Sequence, residues 1–241
     1  MVPLRGASDL IRYDSLSADC EVHGLVCRGG FHPLPDEVIP AAPGGARPAT
    51  VVMLGFVGPR HFEVFASSPE FADGRAHPLD RWSRRVIAAL AARHDATALF
   101  PFGGPPWLPF QRWAQRAESV HVSPINILIH PVYGLWHAYR GALAFAQRLE
   151  LPPTIAQPSP CTTCLEKPCL HSCPVQALSP GRLDTRRCGQ YLESTPEADC
   201  YELGCRARAR CPVGAQFRYG PRQARFHLDA FMRSANTAPR A

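Results

Sequence analysis

The hydrophobic pattern divides this chain into a periodic first part and an irregular, cysteine-rich second part. Thr50 to Val57 is a continuous apolar, β-branched run closed by Gly58-Pro59, which predicts a buried strand. From Pro78 to His94, Leu79, Trp82, Val86 and Leu90 recur at three- and four-residue spacing with Asp80 in the first turn. That spacing predicts a helix with one apolar face. Ala96 to Phe100 reads as a short strand ended by Pro101, and the prolines and glycines of Phe102 to Phe110 predict a loop. A helix over Pro109 to Glu118 follows, with Phe110, Trp113 and Ala114 on one side. Asn126 to His130 and Leu135 to Phe145 read as strands joined by His130-Pro131-Val132-Tyr133-Gly134. Periodicity alone leaves the second of them equally compatible with a helix.

Leu151 to Pro160 is proline-rich and predicts a linker, so the chain divides into residues 1–150, a linker 151–160, a second part 161–232 and a flexible tail 233–241. The second part carries a weak internal repeat: Cys173-Pro174-Val175-Gln176-Ala177 echoes Cys211-Pro212-Val213-Gly214-Ala215. A short helix is expected after each of the two prolines.

Chemistry concentrates in the same stretch. Eight of the ten cysteines lie between Cys161 and Cys211: a first run of Cys161, Cys164, Cys169 and Cys173-Pro174, then Cys188, then Cys200, Cys205 and Cys211-Pro212. Eight thiolates suffice for two four-iron clusters, and in two-cluster ferredoxins the cysteine before proline serves the other run's cluster. Structural zinc is the rival, since a Cys-x2-Cys pair also opens zinc ribbons, but zinc sites usually repeat that pair and need no proline after the last ligand. The pattern therefore favours two 4Fe–4S clusters and single-electron transfer. Cys20 and Cys27, far from both runs, read as small buried hydrophobes.

Composition narrows the classes. Met1 to Asp9 lacks the apolar stretch of an export signal, and no run approaches a membrane span, so a soluble, reducing, cytoplasmic protein is expected. The net charge of +6 is densest at Arg206, Arg208, Arg210, Arg218, Arg222 and Arg225, around the last cysteines. Those arginines lack the interleaved aromatics of a nucleic-acid surface, so no nucleic acid is expected. They suit an anionic cluster and an acidic electron-donor protein. No Ser-His-Asp arrangement, phosphate-binding glycine loop or carboxylate pair stands out, which argues against hydrolysis and phosphoryl transfer.

The second half resembles the C-terminal module of epoxyqueuosine reductase and, more loosely, of reductive dehalogenases. The most similar stretch is Gly181 to Leu192, which contains Cys188. The resemblance implies a ferredoxin-like module with one cluster on Cys161, Cys164, Cys169 and Cys211, a second on Cys173, Cys188, Cys200 and Cys205, and a corrinoid beside the nearer one. Spacing departs from the family: four residues separate Cys164 from Cys169 where two are usual, and Cys200, Cys205 and Cys211 are more widely spread.

The first 150 residues resemble the CblC-type cobalamin-trafficking chaperones, whose fold is related to flavin nitroreductases. The match is carried by Ile127 to Leu143, with His130-Pro131, Gly134-Leu135-Trp136 and Arg140-Gly141. Weaker matches cover Val51 to Phe62 and the helix at His77 to Asp80. The resemblance implies an α+β, nitroreductase-like first domain followed by a small two-cluster module. It places Leu128 and Tyr139 near a corrin ring and gives Arg140 an anion to bind, and His130 becomes a candidate cobalt ligand or proton donor. Trp107, Phe110, Trp113 and Trp136 are candidates for an apolar pocket wall, with ordinary core as the alternative. The chaperone's other glutathione-contacting arginines have no counterpart, since cysteines stand there instead.

The expected activity is reduction of cobalamin's cobalt by electrons from the two clusters, in cobalamin processing. The alternatives are a ferredoxin-like carrier without corrinoid, and a reductase with FMN in the first domain. Nitroreductase relatives often pair, so a homodimer belongs to the expectation.

Overall fold

The computed structural model describes residues 12–237, and they form a mixed α+β structure of two compact units. The first unit comprises residues up to Phe56, Glu63–Glu118 and Ala138–Ile155; the second comprises Val57–Phe62, Ser119–His137 and the chain from Ala156 onward. The helices are α1 (Tyr13–Val22), α2 (Arg60–Ala66), α3 (Pro69–Ala72), α4 (Pro78–Arg93), α5 (Phe110–Ala117), α6 (Pro160–Thr163), α7 (Pro168–His171), α8 (Thr185–Ser194), α9 (Cys200–Leu203), α10 (Arg206–Ala209) and α11 (Pro221–Thr237). The strands are β1 (Val26–Phe31), β2 (Thr50–Val57), β3 (Thr97–Leu99), β4 (His121–Val122), β5 (Leu128–Ile129), β6 (His137–Phe145), β7 (Leu178–Ser179) and β8 (Arg182–Leu183).

The first unit is built on one sheet with strand order β1-β2-β6-β3, in which β1 pairs antiparallel with β2 and β3 with β6. Strand β2 is central, and its residues from Thr50 to Phe56 are all buried. This explains why the sequence there is a solid apolar run rather than an alternating one: both faces are covered. Helix α4 buries Leu79, Trp82, Val86, Ile87 and Leu90, the face that the spacing marks. Its first turn is also tied to β6. Asp80 pairs with Arg140, and the Ser83 hydroxyl accepts from Arg140 Nε at 3.0 Å. Helix α5 buries Phe110, Trp113 and Ala114, with Phe110 and Phe31 rings 5.2 and 6.2 Å from Trp113. The Leu135–Phe145 segment resolves as strand from His137 onward, because it is hydrogen-bonded between other strands of the sheet.

The second unit has little regular structure beyond α8 and α11. Two strand pairs, β4–β5 and β7–β8, are each two residues long. The strand expected over Asn126–His130 shortens to Leu128–Ile129 because Asn126 adopts φ 59° and turns the chain. No α-helix follows either Cys-Pro step. The chain turns after Pro174 into β7, and after Pro212 it makes only a 3-10 turn at Ala215–Phe217. The short helices precede instead: α7 leads into Cys173 and α10 into Cys211. Helix α11 continues to Thr237, and residues 238–241 of the expected tail lie outside the described residues, as does the N-terminal stretch up to residue 11. No helix among the described residues is long and apolar enough to cross a membrane.

Candidate cluster centres in the second unit

The eight cysteines gather into two groups of four, both within the second unit. Cys161, Cys164, Cys169 and Cys211 line one cavity with Ile129, Leu135 and Val213. Cys173, Cys188, Cys200 and Cys205 line another, of about 230 Å³, walled by Ile125, Leu192, Leu228 and Phe231 among others. The grouping crosses the sequence runs. Cys211 leaves the second run to join the first, and Cys173 leaves the first run to join the second. Electrostatics gives the same partition. The Cys169 thiol is pushed up by burial and then by Cys211, Cys161 and Cys164. Burial followed by Cys205, Cys173 and Cys200 pushes Cys188 up to about 12.

Burial and neighbouring thiols thus disfavour the anionic form of Cys169 and Cys188, and a metal that binds them must displace their protons. Backbone amides are already turned to stabilise the thiolate form. Ala177 N–H donates to Cys173 Sγ at 3.3 Å, and Val213 N–H to the Cys211 sulfur. Arg206 N–H donates to Cys200, and the N–H groups of Ala207 and Arg208 to Cys205. The internal repeat has a structural meaning here. Gln176 and Gly214, the fourth residues of the two echoed segments, both take left-handed conformations, at φ 51° and 69°. That kink folds each loop back over its own cysteine.

The chemistry of the donor set fits iron–sulfur clusters. All ten cysteines are free thiols, each tetrad is all-sulfur, and both are set in apolar surroundings with amides aimed at sulfur. Among the described residues, no three His, Cys, Asp or Glu side chains converge as ligands of a single ion. Outside the tetrads, Cys20 and Cys27 contact each other at 3.9 Å between sulfurs, and Cys20 is fully buried.

The His130–Gly134 turn, within the second unit, supports the Cys211 loop. His130 and Gly134 exchange two backbone hydrogen bonds of 2.9 Å, and His130 Nδ1 accepts from the N–H groups of Val132 and Tyr133 at 3.0 and 3.2 Å. The imidazole also stacks on Tyr133, with ring centroids 4.2 Å apart. At φ 58°, Gly134 faces the Cys211 loop so closely that an added Cβ would lie 1.9 Å from Val213 O. Trp136 is 1 % exposed, with Tyr219 5.2 Å away and the Arg208 guanidinium over both rings. The same guanidinium donates to Leu135 O. Truncation by Arg208→Ala leaves that carbonyl and two ring faces bare, and is expected to cost about 2–3 kcal/mol. A lowered guanidinium midpoint, only partly restored in Arg208→Lys, checks this.

The other expected site residues are distributed as follows. Leu128 is buried in β5, and His137 of the same unit reaches its carbonyl at 3.0 Å. In the first unit, Tyr139 bonds Glu118 while Arg28, 2 % exposed, pairs with Glu118 and lies over the Tyr139 ring at 5.0 Å. Burial, above all, raises the Tyr139 phenol far above its ordinary range. Arg140 is held by Asp80 and Ser83, with Phe102 5.1 Å beneath its guanidinium. Phe110 and Trp113 are core, whereas Trp107 is exposed. Nothing in the sequence marks Arg28 and Glu118 as a buried pair, because their 90-residue separation has no local signature.

No protein-family model matches the chain, and no curated protein matches it. Among solved structures it is similar to an epoxyqueuosine reductase with a tRNA-Tyr epoxyqueuosine-modified stem loop, at 17 % identity and TM-score 0.46, over 88 % of this chain and 68 % of that one. The Bacillus subtilis epoxyqueuosine reductase gives 17 % identity and TM-score 0.45, over 86 % and 66 %. A C. elegans B12-trafficking protein CblC, a homologue of human MMACHC, gives 14 % identity and TM-score 0.47, over 95 % and 98 %. The chain spans between half and about two thirds of the length of the epoxyqueuosine reductases it matches.

Proposed function

We propose that this chain is an iron–sulfur oxidoreductase that passes electrons, one at a time, to the cobalt of a bound corrinoid. The observation that carries the reading is the crossed grouping of eight cysteines into two all-sulfur tetrads. Disulfide scaffolds and isolated zinc ribbons give no reason for a cysteine before proline to leave its own run. Cys161, Cys164, Cys169 and Cys211 hold one four-iron cluster, and Cys173, Cys188, Cys200 and Cys205 hold the other. When bound, the clusters supply reversible one-electron redox chemistry. The chain's own contribution is fourfold. Thiolates fix the iron, the inward amides favour the more reduced state, apolar walls such as Ile129, Leu192 and Leu228 keep water out, and Gln176 and Gly214 close the loops.

The corrinoid acceptor rests on the likeness of Ile127 to Leu143 to CblC-type chaperones. The residues expected around it fall in both units: Leu128, His130 and Trp136 in the second, Trp107, Tyr139 and Arg140 in the first. His130 Nδ1 holds backbone amides and Arg140 holds Asp80, so no step is assigned to either side chain. A carrier without corrinoid is the second reading, favoured by those same engagements.

One experiment separates the two. Anaerobically purified protein, reduced with dithionite and freed of excess reductant, is mixed with hydroxocobalamin. Conversion of the cob(III) spectrum to cob(II), with stoichiometric recovery of the cluster absorption that dithionite had bleached and retention of corrin on a desalting column, is the expected result. Retention failing while the clusters still reduce leaves the carrier, and flavin bands in the purified protein favour the FMN-containing reductase.

A further inference from the structure

Two open basins flank the Cys173-Pro174 step. The first, of about 500 Å³, is lined by His171, Ser172, Cys173, Pro174, Arg206 and Arg210. The second, of about 480 Å³, shares Pro174 and adds Arg187, Gln190 and Tyr191. Cys173 therefore lines both the apolar cavity of its tetrad and an open basin at the surface. Electron tunnelling decays steeply with distance, so a donor gains most by docking where a cluster ligand reaches solvent.

The charge around this point is positive. From Ala156 onward the chain has twelve Lys and Arg against seven Asp and Glu, a net +5 of the whole chain's +6. Arg206 has a partial partner in Asp199 at 3.5 Å. Arg187 and Arg210 are exposed, and their guanidinium groups have no partner among the described residues. Exposed cations beside an open basin focus attraction on an anionic surface rather than add to stability.

We propose that the basins on either side of Cys173-Pro174 are the docking surface for a small acidic electron-carrier protein. This rests on the two-cluster reading above. In the step it serves, one electron leaves the reduced centre of the carrier, which is oxidised by one electron. It enters the cluster on Cys173, Cys188, Cys200 and Cys205, which is reduced by one, and no bond is made or broken. An acidic protein fits better than RNA, since the arginines border two compact basins and the lining offers no row of aromatic rings for successive bases, only His171 in one basin and Tyr191 in the other.

The test uses flavodoxin as probe, with wild type and the Arg187→Glu/Arg210→Glu variant of the full iron-loaded chain. Two quantities are measured against ionic strength: binding of oxidised flavodoxin, and the second-order rate of cluster reduction by reduced flavodoxin. At low salt the variant is expected to lose about tenfold in both, with the two proteins converging at high salt, while reduction by dithionite stays equal. Lysine at both positions restores the wild-type values, since steering needs only the charge. Equal flavodoxin binding and rates in wild type and the glutamate variant overturn the proposal. So does a variant that loses binding to a single-stranded RNA oligonucleotide while keeping its flavodoxin rate, which assigns the surface to nucleic acid. Wild-type protein that dithionite cannot reduce overturns the cluster reading itself, and the docking surface with it.

Discussion

Alanine at Cys211 is expected to remove half of the protein's iron, from about eight to about four atoms per chain, and the cluster lost is the one held by the first cysteine run. Alanine at Cys173 is expected to do the same to the other cluster. The reason is the crossed partition: Cys211 lies with Cys161, Cys164 and Cys169, and Cys173 with Cys188, Cys200 and Cys205. Pairwise substitution makes this decisive. Cys211→Ala with Cys164→Ala removes two ligands from one tetrad, so about four irons remain. Cys211→Ala with Cys205→Ala removes one ligand from each, and both clusters are lost. If each run kept its own Cys-Pro, Cys205 and Cys211 would share a site and that second pair would keep half the iron. Anaerobic iron and sulfide quantitation on the two double variants distinguishes the arrangements.

Gly134→Ala is expected to destabilise the second unit by about 3 kcal/mol or more, with iron released first from the Cys211 tetrad. Two effects add. A φ of 58° disfavours any residue with a Cβ, by about 1 kcal/mol. The new methyl would also stand 1.9 Å from Val213 O, two residues beyond Cys211, and that atom is backbone and cannot rotate away. The loops must part, taking the Val213 amide off the Cys211 sulfur. Gly181→Ala is the control. Its φ is 73° and nothing lies within 4 Å of the added atom, so it is expected to cost only about 1 kcal/mol. Denaturant midpoints followed by cluster absorbance, together with iron release, compare the two. Equal losses at the two positions would remove the close approach as an explanation.

The elements read from the sequence are those whose signal is local. The apolar run of β2, the 3.6-residue stripe of α4 and the Phe110, Trp113, Ala114 face of α5 each report their own burial. The shortened β5 and the missing helices after Pro174 and Pro212 escaped because single left-handed residues, Asn126, Gln176 and Gly214, override the surrounding pattern. At the site, the count and identity of the cysteines are legible from spacing, and their crossed grouping was implied by family resemblance before any geometry. Less legible is why His130 and Gly134 occur where they do. In the sequence, His130 suggests a cobalt ligand or proton donor, and Gly134 is only the end of the connection between two strands. In the fold, His130 Nδ1 ties the turn through two amides and Gly134 lets the Cys211 loop approach. Side-chain identity announces chemistry in the sequence, whereas backbone proximity between distant segments leaves no trace there.

The central claim is that sulfur holds iron at both tetrads. Iron and acid-labile sulfide quantitation on protein purified without oxygen, with electron paramagnetic resonance after dithionite reduction, tests it most directly. About eight irons and eight sulfides per chain, with signals of reduced four-iron clusters, is the expected result. Stoichiometric zinc bound to the thiols, or iron-free protein that takes up no clusters on reconstitution with iron and sulfide, would contradict it.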